Sequence, residues 1–107
     1  MAQAWAAAIE RRDWPTVRAY WGNNGATSGR SPAVFAMEWA QLKAPRVTLG
    51  AWQQEGAAGS SFATIPATVH DGLRTISGTV TWTRVNDVPG ATSEQLRWHI
   101  QSSTLKP

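Results

Sequence analysis

Apolar residues in the first part of the chain recur at the spacing of an α-helix. In "AQAWAAAIERRD", Trp5, Ala8 and Ile9 share one helical face, and alanine is the strongest helix former. Asp13 then has the side chain of a helix N-cap, and Pro15 suits a first turn, which needs no backbone donor. The motif "GNNG" tolerates positive φ and should end the second helix. The pattern therefore predicts two short consecutive helices.

A third helix is predicted from Ser31, which has the side chain of an N-cap and is followed by a proline. Its sequence, "SPAVFAMEWAQL", carries apolar residues at i, i+4 and i+7, with two more that widen the apolar face. A later proline is expected to end it. The residues predicted to face inward are Val34, Phe35, Met37, Trp39 and Leu42, and the terminating proline is Pro45.

From Arg46 onward, apolar and polar residues alternate with the period of a β-strand. Four segments show this pattern: "RVTLGAW", "SFATIPATVH", "LRTISGTVTWTRV" and "EQLRWHIQS". We interpret "QQEGAAGS" as a hairpin turn or an irregular edge. Pro66 lacks a backbone donor and predicts an edge position or a bulge. The pair Asp71–Gly72 predicts a tight turn between the second and third strands.

The strand pattern predicts a sheet with one apolar and one polar face. Val80 and Trp82 alternate with threonines, and Trp98 and Ile100 alternate with Arg97, His99 and Gln101. An apolar sheet face must be covered, and the three helices are the available cover. The predicted fold is a single α+β domain over residues 1–107, with three N-terminal helices packed in a curved, four-stranded antiparallel sheet.

Composition and charge narrow the functional classes. Hydrophobic residues make up 42% and charged residues 16% of the 107 residues, a balance typical of a packed globule. The net charge of +3 comes from arginines spread along the chain, which does not indicate a nucleic-acid partner. Cysteine is absent, so disulfides and thiolate chemistry are excluded. No membrane span or cofactor is expected, and the compartment stays open: cytoplasmic, or exported with a leader removed.

The segments "AIERRDWPTVRAYW", "FAMEWAQL", "VTLG" and "LRWHI" occur in an order that resembles the nuclear-transport-factor-2-like superfamily, which has the cystatin-like cone fold. The resemblance covers most of the chain. It implies a cone-shaped domain, a cavity between helices and sheet, and dimers through the outer sheet face. That superfamily includes ketosteroid isomerases, polyketide cyclases and binding domains, so the resemblance alone does not fix a function.

The polar stretch "RVNDVPGATSEQLRWHI" is a candidate for reactive chemistry. Asn86 and Asp87 favour turns, Pro89–Gly90 is a turn pair, and "TSEQ" has the form of a capping box. We interpret this stretch as a long hairpin connection, with a catalytic role for Asp87 or Glu94 as the alternative. The two histidines lack the spacing of a metal site.

The tryptophans predict a ligand cavity. Several of the seven fall on inward faces, where packing so many indoles under a small sheet tends to leave a concavity. We expect a non-catalytic module that binds an apolar or aromatic small molecule, or a protein partner, with no catalytic or metal residues. The alternative is a small isomerase, cyclase or hydrolase acting in the cavity. The predicted ligand-binding residues are Tyr20, Trp21, Phe35, Trp39, Trp82, Arg84 and Trp98, and the predicted homodimer contacts are Thr79, Thr81, Arg97 and His99.

Overall fold

The computed structural model describes residues 2–57, 60–85 and 97–107. Within these ranges the chain forms three α-helices, a short 3₁₀ helix and one antiparallel sheet of five strands. The predicted α+β class is therefore confirmed, with one strand more than expected. The elements are α1 (Ala2–Glu10), α2 (Trp14–Ala19), the 3₁₀ helix (Ala26–Ser28), α3 (Pro32–Trp39), β1 (Arg46–Leu49), β2 (Gln53–Ala57), β3 (Ser60–Asp71), β4 (Arg74–Val85) and β5 (His99–Ser103).

The helix boundaries follow the capping residues. Ser31 caps α3 as predicted, because its hydroxyl accepts a hydrogen bond from the Val34 N–H at 3.2 Å. Asp13 occupies the N-cap position of α2, and its carboxylate accepts a hydrogen bond from the Thr16 hydroxyl at 2.7 Å. The loop that follows α2 has positive φ at Asn23, Asn24 and Gly25, as "GNNG" predicted.

The third helix differs from the prediction in its length and its buried face. It ends at Trp39, well before Pro45, and the chain then turns so that Leu42 is still buried. Phe35 and Trp39 are buried as expected, but Val34 and Met37 are 38% and 68% exposed. At about 100° per residue, Met37 lies on the opposite side of the helix from Phe35. Including Val34 and Met37 in the inner face was therefore wrong.

The additional strand, β2, lies in the segment interpreted as a hairpin turn or an irregular edge, and it does lie at an edge of the sheet. Residues Gln53–Ala57 pair with Ser60–Thr64 of β3, while β1 pairs with the other end of β3. Strands β1 and β2 therefore lie end to end along one edge of β3, and β4 and β5 follow on its other side. The prediction of four strands missed β2 because "QQEGA" shows no alternation of apolar and polar residues.

Pro66 lies inside the sheet rather than at its edge. It pairs with Thr79 of β4, and its carbonyl accepts a hydrogen bond from the Gly50 N–H at 2.8 Å. Since the N and C=O groups of one residue point to the same side of a strand, the missing donor of Pro66 also faces Gly50. Leu49 pairs with Ala67 and Gln53 with Thr64, so residues 50–52 stand opposite residues 65–66. The predicted irregularity exists, but the extra residue belongs to the neighbouring strand.

The core lies between the helices and the inner face of the sheet. Trp82 is fully buried at its centre, with its ring edge-on to Trp5 at 6.1 Å and to Tyr20 at 5.8 Å. Ile100 lies opposite Trp82 on β5, and its N–H donates to the Tyr20 carbonyl at 2.7 Å, which fixes the end of α2 to the sheet. Among the described residues, no helix is long and apolar enough to cross a membrane.

Candidate functional sites: two aromatic clefts

The seven predicted ligand-binding residues occupy three places in the fold. Tyr20 and Trp82 belong to the core, where Trp82 is fully buried. Arg84 and Trp98 lie together at one end of the sheet. The remaining three line a separate cleft beside α3; they are Trp21, Phe35 and Trp39.

The first cleft, here named the Trp52 cleft, opens between the start of α1 and the interruption between β1 and β2. Its volume is about 390 Å³. Among the described residues, no charged side chain lines this cleft, and the side-chain amide of Gln3 is the polar group in its wall. It therefore suits an uncharged, largely apolar group. The lining residues are Ala2, Gln3, Leu49, Gly50, Ala51, Trp52 and Ile65.

Trp52 connects this cleft to Arg84 and Trp98, two of the predicted ligand-binding residues, at the end of the sheet. Its ring lies 6.2 Å from the ring of Trp98, and the Arg84 guanidinium lies 5.0 Å from the Trp98 ring centre. The three side chains thus form a continuous row of one cation and two indoles, named here the Arg84 row. Trp52 is 48% exposed, which is high for so large an apolar side chain. Among the described residues, the Arg84 guanidinium has no hydrogen bond or ion pair.

Trp52 is the site residue that the sequence reasoning missed, and the cause is a change of phase. Strict alternation from Leu49 places Ala51 inward and Trp52 outward. The extra residue opposite Pro66 reverses this order, so Trp52 faces the same side as Ile65. A proline within a strand-patterned segment, Pro66, was the signal in the sequence that could have located this change of phase.

The second cleft, here named the α3 cleft, lies between α3 and the segment after β5. It also has a volume of about 390 Å³. Phe35 and Trp39 stack at 5.7 Å with an interplanar angle of 21°, and they form the helical side of the cleft. The lining residues are Trp21, Ser28, Arg30, Phe35, Glu38, Trp39, Ser103, Leu105, Lys106 and Pro107.

Charged side chains of both signs lie around the α3 cleft. The Arg30 Nε donates to Glu38 Oε1 at 2.6 Å, and both side chains are substantially exposed. The Lys106 ammonium group adds a second positive charge on the opposite wall. An ion pair this exposed contributes little to stability, so its partners can be exchanged for ligand groups at small cost.

The wall formed by the C-terminal segment is fixed to the sheet. The Thr79 N–H donates to the Thr104 hydroxyl at 2.8 Å, and the Thr104 N–H donates to the Thr79 carbonyl at 2.9 Å. Leu105, the next residue, is buried against the core. Two reciprocal hydrogen bonds and one buried side chain therefore hold this wall in place.

The candidates for acid–base chemistry do not come together in the described part of the chain. His99 contacts the Arg97 carbonyl through Nδ1 at 3.0 Å and lies against Gly22. Glu38 is paired with Arg30. No group of three or more His, Cys, Asp or Glu side chains among the described residues could hold a metal ion. Asp87 and Glu94, with the rest of residues 86–96, lie outside the described residues.

The predicted dimer face is partly occupied by contacts within the chain. Thr79 is exposed and Thr81 is half-buried on the outer sheet face. The Arg97 guanidinium donates to the Ala19 carbonyl at 3.3 Å, and His99 lies close to Gly22. These two residues therefore contact the end of α2 and the following loop.

Comparisons of the chain with family models, with curated proteins and with solved structures found no match. The geometry of the two clefts is therefore the basis on which a function can be inferred.

Proposed function

We propose that this protein is a non-catalytic small-molecule-binding domain whose ligand occupies the Trp52 cleft. The ligand is flat or chain-like and largely apolar, and it carries one acidic group that contacts Arg84. The observation that carries this proposal is the Arg84 row, in which a cation and two indoles lead without interruption into an uncharged cleft.

The exposure of Trp52 supports binding at this place. Leaving about half of an indole in water forgoes a large part of the stabilisation that its burial would give. A ligand that covers this ring and enters the cleft recovers it. The Arg84 guanidinium lies over the face of the Trp98 ring. A guanidinium is planar and can donate two parallel hydrogen bonds to one carboxylate.

The chemistry of the cleft wall favours binding over catalysis. Isomerases, cyclases and hydrolases of this size need a positioned acid or base at the reacting centre. The described wall of the Trp52 cleft has neither a carboxylate nor a histidine, and its polar side chain is an amide. In the Trp52 cleft, the enzymatic alternative would require a group from outside the described residues.

The test uses 1-naphthoate and its uncharged amide, 1-naphthamide, as probes. Nuclear magnetic resonance of the indole N–H groups reports on each tryptophan separately, so the site of binding is observed directly. We expect the signals of Trp52 and Trp98 to shift most. Arg84→Gln should weaken naphthoate binding about tenfold and naphthamide binding little, because only the acid uses the guanidinium.

Arg74→Gln serves as the matched control, since it removes an exposed arginine from the β3–β4 hairpin, away from the cleft. Trp52→Ala should weaken both probes. Equal losses for the two probes in Arg84→Gln, or main shifts at tryptophans outside the row, would exclude the proposed site.

We also propose, from the order of the elements, that the chain is a short member of the nuclear-transport-factor-2-like superfamily with a cone-shaped sheet, and that two copies pair through the outer sheet face. Three helices that precede and cover an antiparallel sheet support the first proposal. The exposed Thr79 supports the second. Light scattering of wild type and Thr79→Lys tests the pairing: a monomeric mass for the wild type contradicts it.

A further inference from the structure

We infer that the α3 cleft is a second binding site, independent of the Trp52 cleft, and that it takes a free aromatic α-amino acid in its zwitterionic form. The juxtaposition that supports this is an aromatic wall bordered, in the described part of the chain, by one side-chain carboxylate and two side-chain cations. Their side chains are those of Glu38, Arg30 and Lys106.

The apolar part of the cleft matches an aromatic side chain. Its volume of about 390 Å³ holds a single ring with a short polar head, and is too small for a large cofactor. Trp21 is half-buried beside the stacked Phe35 and Trp39, so indole and phenyl surfaces bound the cleft. Leu105 and Pro107 complete the apolar lining from the other side. Offset or edge-on packing against such rings favours a second aromatic group.

The charged part of the cleft matches both ends of an amino acid. An α-carboxylate would contact Arg30 or Lys106, and an α-ammonium would contact Glu38. Arg30 and Glu38 now pair with each other at 2.6 Å, which places opposite charges at the short separation that a zwitterion needs. Since the pair is exposed, its exchange for the two ligand charges loses little.

Neither half of the site favours a singly charged ligand. A plain aromatic acid would leave Glu38 close to its carboxylate, and a plain aromatic amine would meet Arg30 and Lys106. For the same reason, the terminal residue of a peptide fits less well, because one of its two charges is replaced by an amide bond.

The experiment measures binding of three probes by calorimetry: L-phenylalanine, 3-phenylpropionate, which lacks the ammonium, and L-phenylalaninamide, which lacks the carboxylate. We expect L-phenylalanine to bind about tenfold more tightly than either analogue. Glu38→Gln should remove the preference over phenylpropionate. Arg30→Gln combined with Lys106→Gln should remove the preference over the amide.

Controls separate this site from the first one. All variants are measured in the Arg84→Gln background, in which an aromatic acid has lost its contact at the Trp52 cleft. Glu55→Gln changes an exposed carboxylate on β2, and Arg74→Gln removes an exposed arginine from the β3–β4 hairpin; neither should alter the order of the three probes. Circular dichroism establishes that each variant is folded. Affinities that agree within about twofold among the three probes, or an equal loss for all three in Glu38→Gln, would overturn the inference. Either result leaves the naphthoate test of the first cleft unaffected.

Discussion

Gly78 of β4 lies against Thr104 so closely that a methyl group on Gly78 would be 2.6 Å from the Thr104 hydroxyl oxygen and 2.8 Å from the Leu105 backbone nitrogen. The absence of a side chain at Gly78 therefore lets the C-terminal segment cross β4. That crossing positions Leu105 and Lys106 as one wall of the α3 cleft.

Gly78→Ala should destabilise the protein and disturb the α3 cleft. The added methyl group meets backbone atoms, which cannot move aside as a flexible side chain can. We expect a loss of about 1–3 kcal/mol in the free energy of unfolding, measured by urea denaturation. Gly56→Ala is the control, because a methyl group there would have no atom of the described residues within 4 Å. A Gly78→Ala protein as stable as the Gly56→Ala protein would show that the crossing tolerates a side chain.

Arg12 combines an unusual backbone conformation with contacts to the end of α3. Its φ is 58°, and its guanidinium donates from Nε to the Leu42 carbonyl at 2.9 Å and from Nη2 to the Ala40 carbonyl at 3.2 Å. It also lies 5.8 Å from the Trp14 ring centre. Arg12 therefore satisfies the carbonyl groups of the C-cap residue of α3 and of the turn that follows it.

Two substitutions of Arg12 separate the stabilising effect of its side-chain contacts from the destabilising effect of its backbone conformation. Arg12→Ala loses the hydrogen bonds and keeps the strained φ, whereas Arg12→Gly loses the same bonds and relieves the strain. We expect Arg12→Ala to cost about 1–2 kcal/mol of unfolding free energy and Arg12→Gly about 1 kcal/mol less. Arg11→Ala, which removes only a surface ion pair, should change stability by less than about 0.5 kcal/mol. The same thermal or urea measurement serves for all three, and a less stable glycine variant would refute the backbone argument.

Asp71 should make stability depend on pH in the acid range. Its two carboxylate oxygens accept hydrogen bonds from the Ala44 N–H at 2.8 Å and the Lys43 N–H at 3.0 Å, which lower the pKa of Asp71 below the ordinary 3.8. A lowered pKa in the folded state means that protonation favours the unfolded chain. The stabilisation is therefore complete above the ordinary pKa and is lost as the pH falls below it.

The measurement compares urea midpoints at about pH 6 and about pH 3. Wild type should lose stability on acidification, and Asp71→Asn should lose less. Asp13, whose pKa the Thr16 hydroxyl lowers, contributes a separate part of the acid dependence, so some loss remains in the variant. Glu55→Gln, at an exposed position of β2, should follow the wild type. An identical pH dependence in wild type and Asp71→Asn would rule out this role for the hydrogen bonds of Asp71.

Much of the fold could be predicted because local signals and tertiary packing agree. The structure confirms three such predictions: the inward face of α1 at Trp5 and Ile9, the N-cap at Ser31, and the inward orientation of Val80 and Trp82 on β4. The length of α3 could not be predicted in this way. Pro45 permits a helix up to its predecessor, but the packing of Leu42 requires the chain to turn earlier.

The candidate site was harder to predict than the fold, because it depends on phase and on distance between elements. Period-two alternation carries no information about an extra residue opposite Pro66, and one such residue moves Trp52 to the other face. Inward orientation alone also did not distinguish the fully buried Trp82 from Trp98. Trp98 lies between Arg84 and Trp52, and Trp52 lines the first cleft.

The irregularity opposite Pro66 has a consequence for the solubility of the protein. The edge of the sheet beside β3 consists of two short strands, β1 with four residues and β2 with five. The irregularity lies between them and shifts their register. A strand of another molecule could not pair along the whole of this edge, because its free backbone donors and acceptors do not form one long, regular row. Stacking of copies into cross-β fibrils along this side is therefore disfavoured by the same irregularity that sets the direction of Trp52.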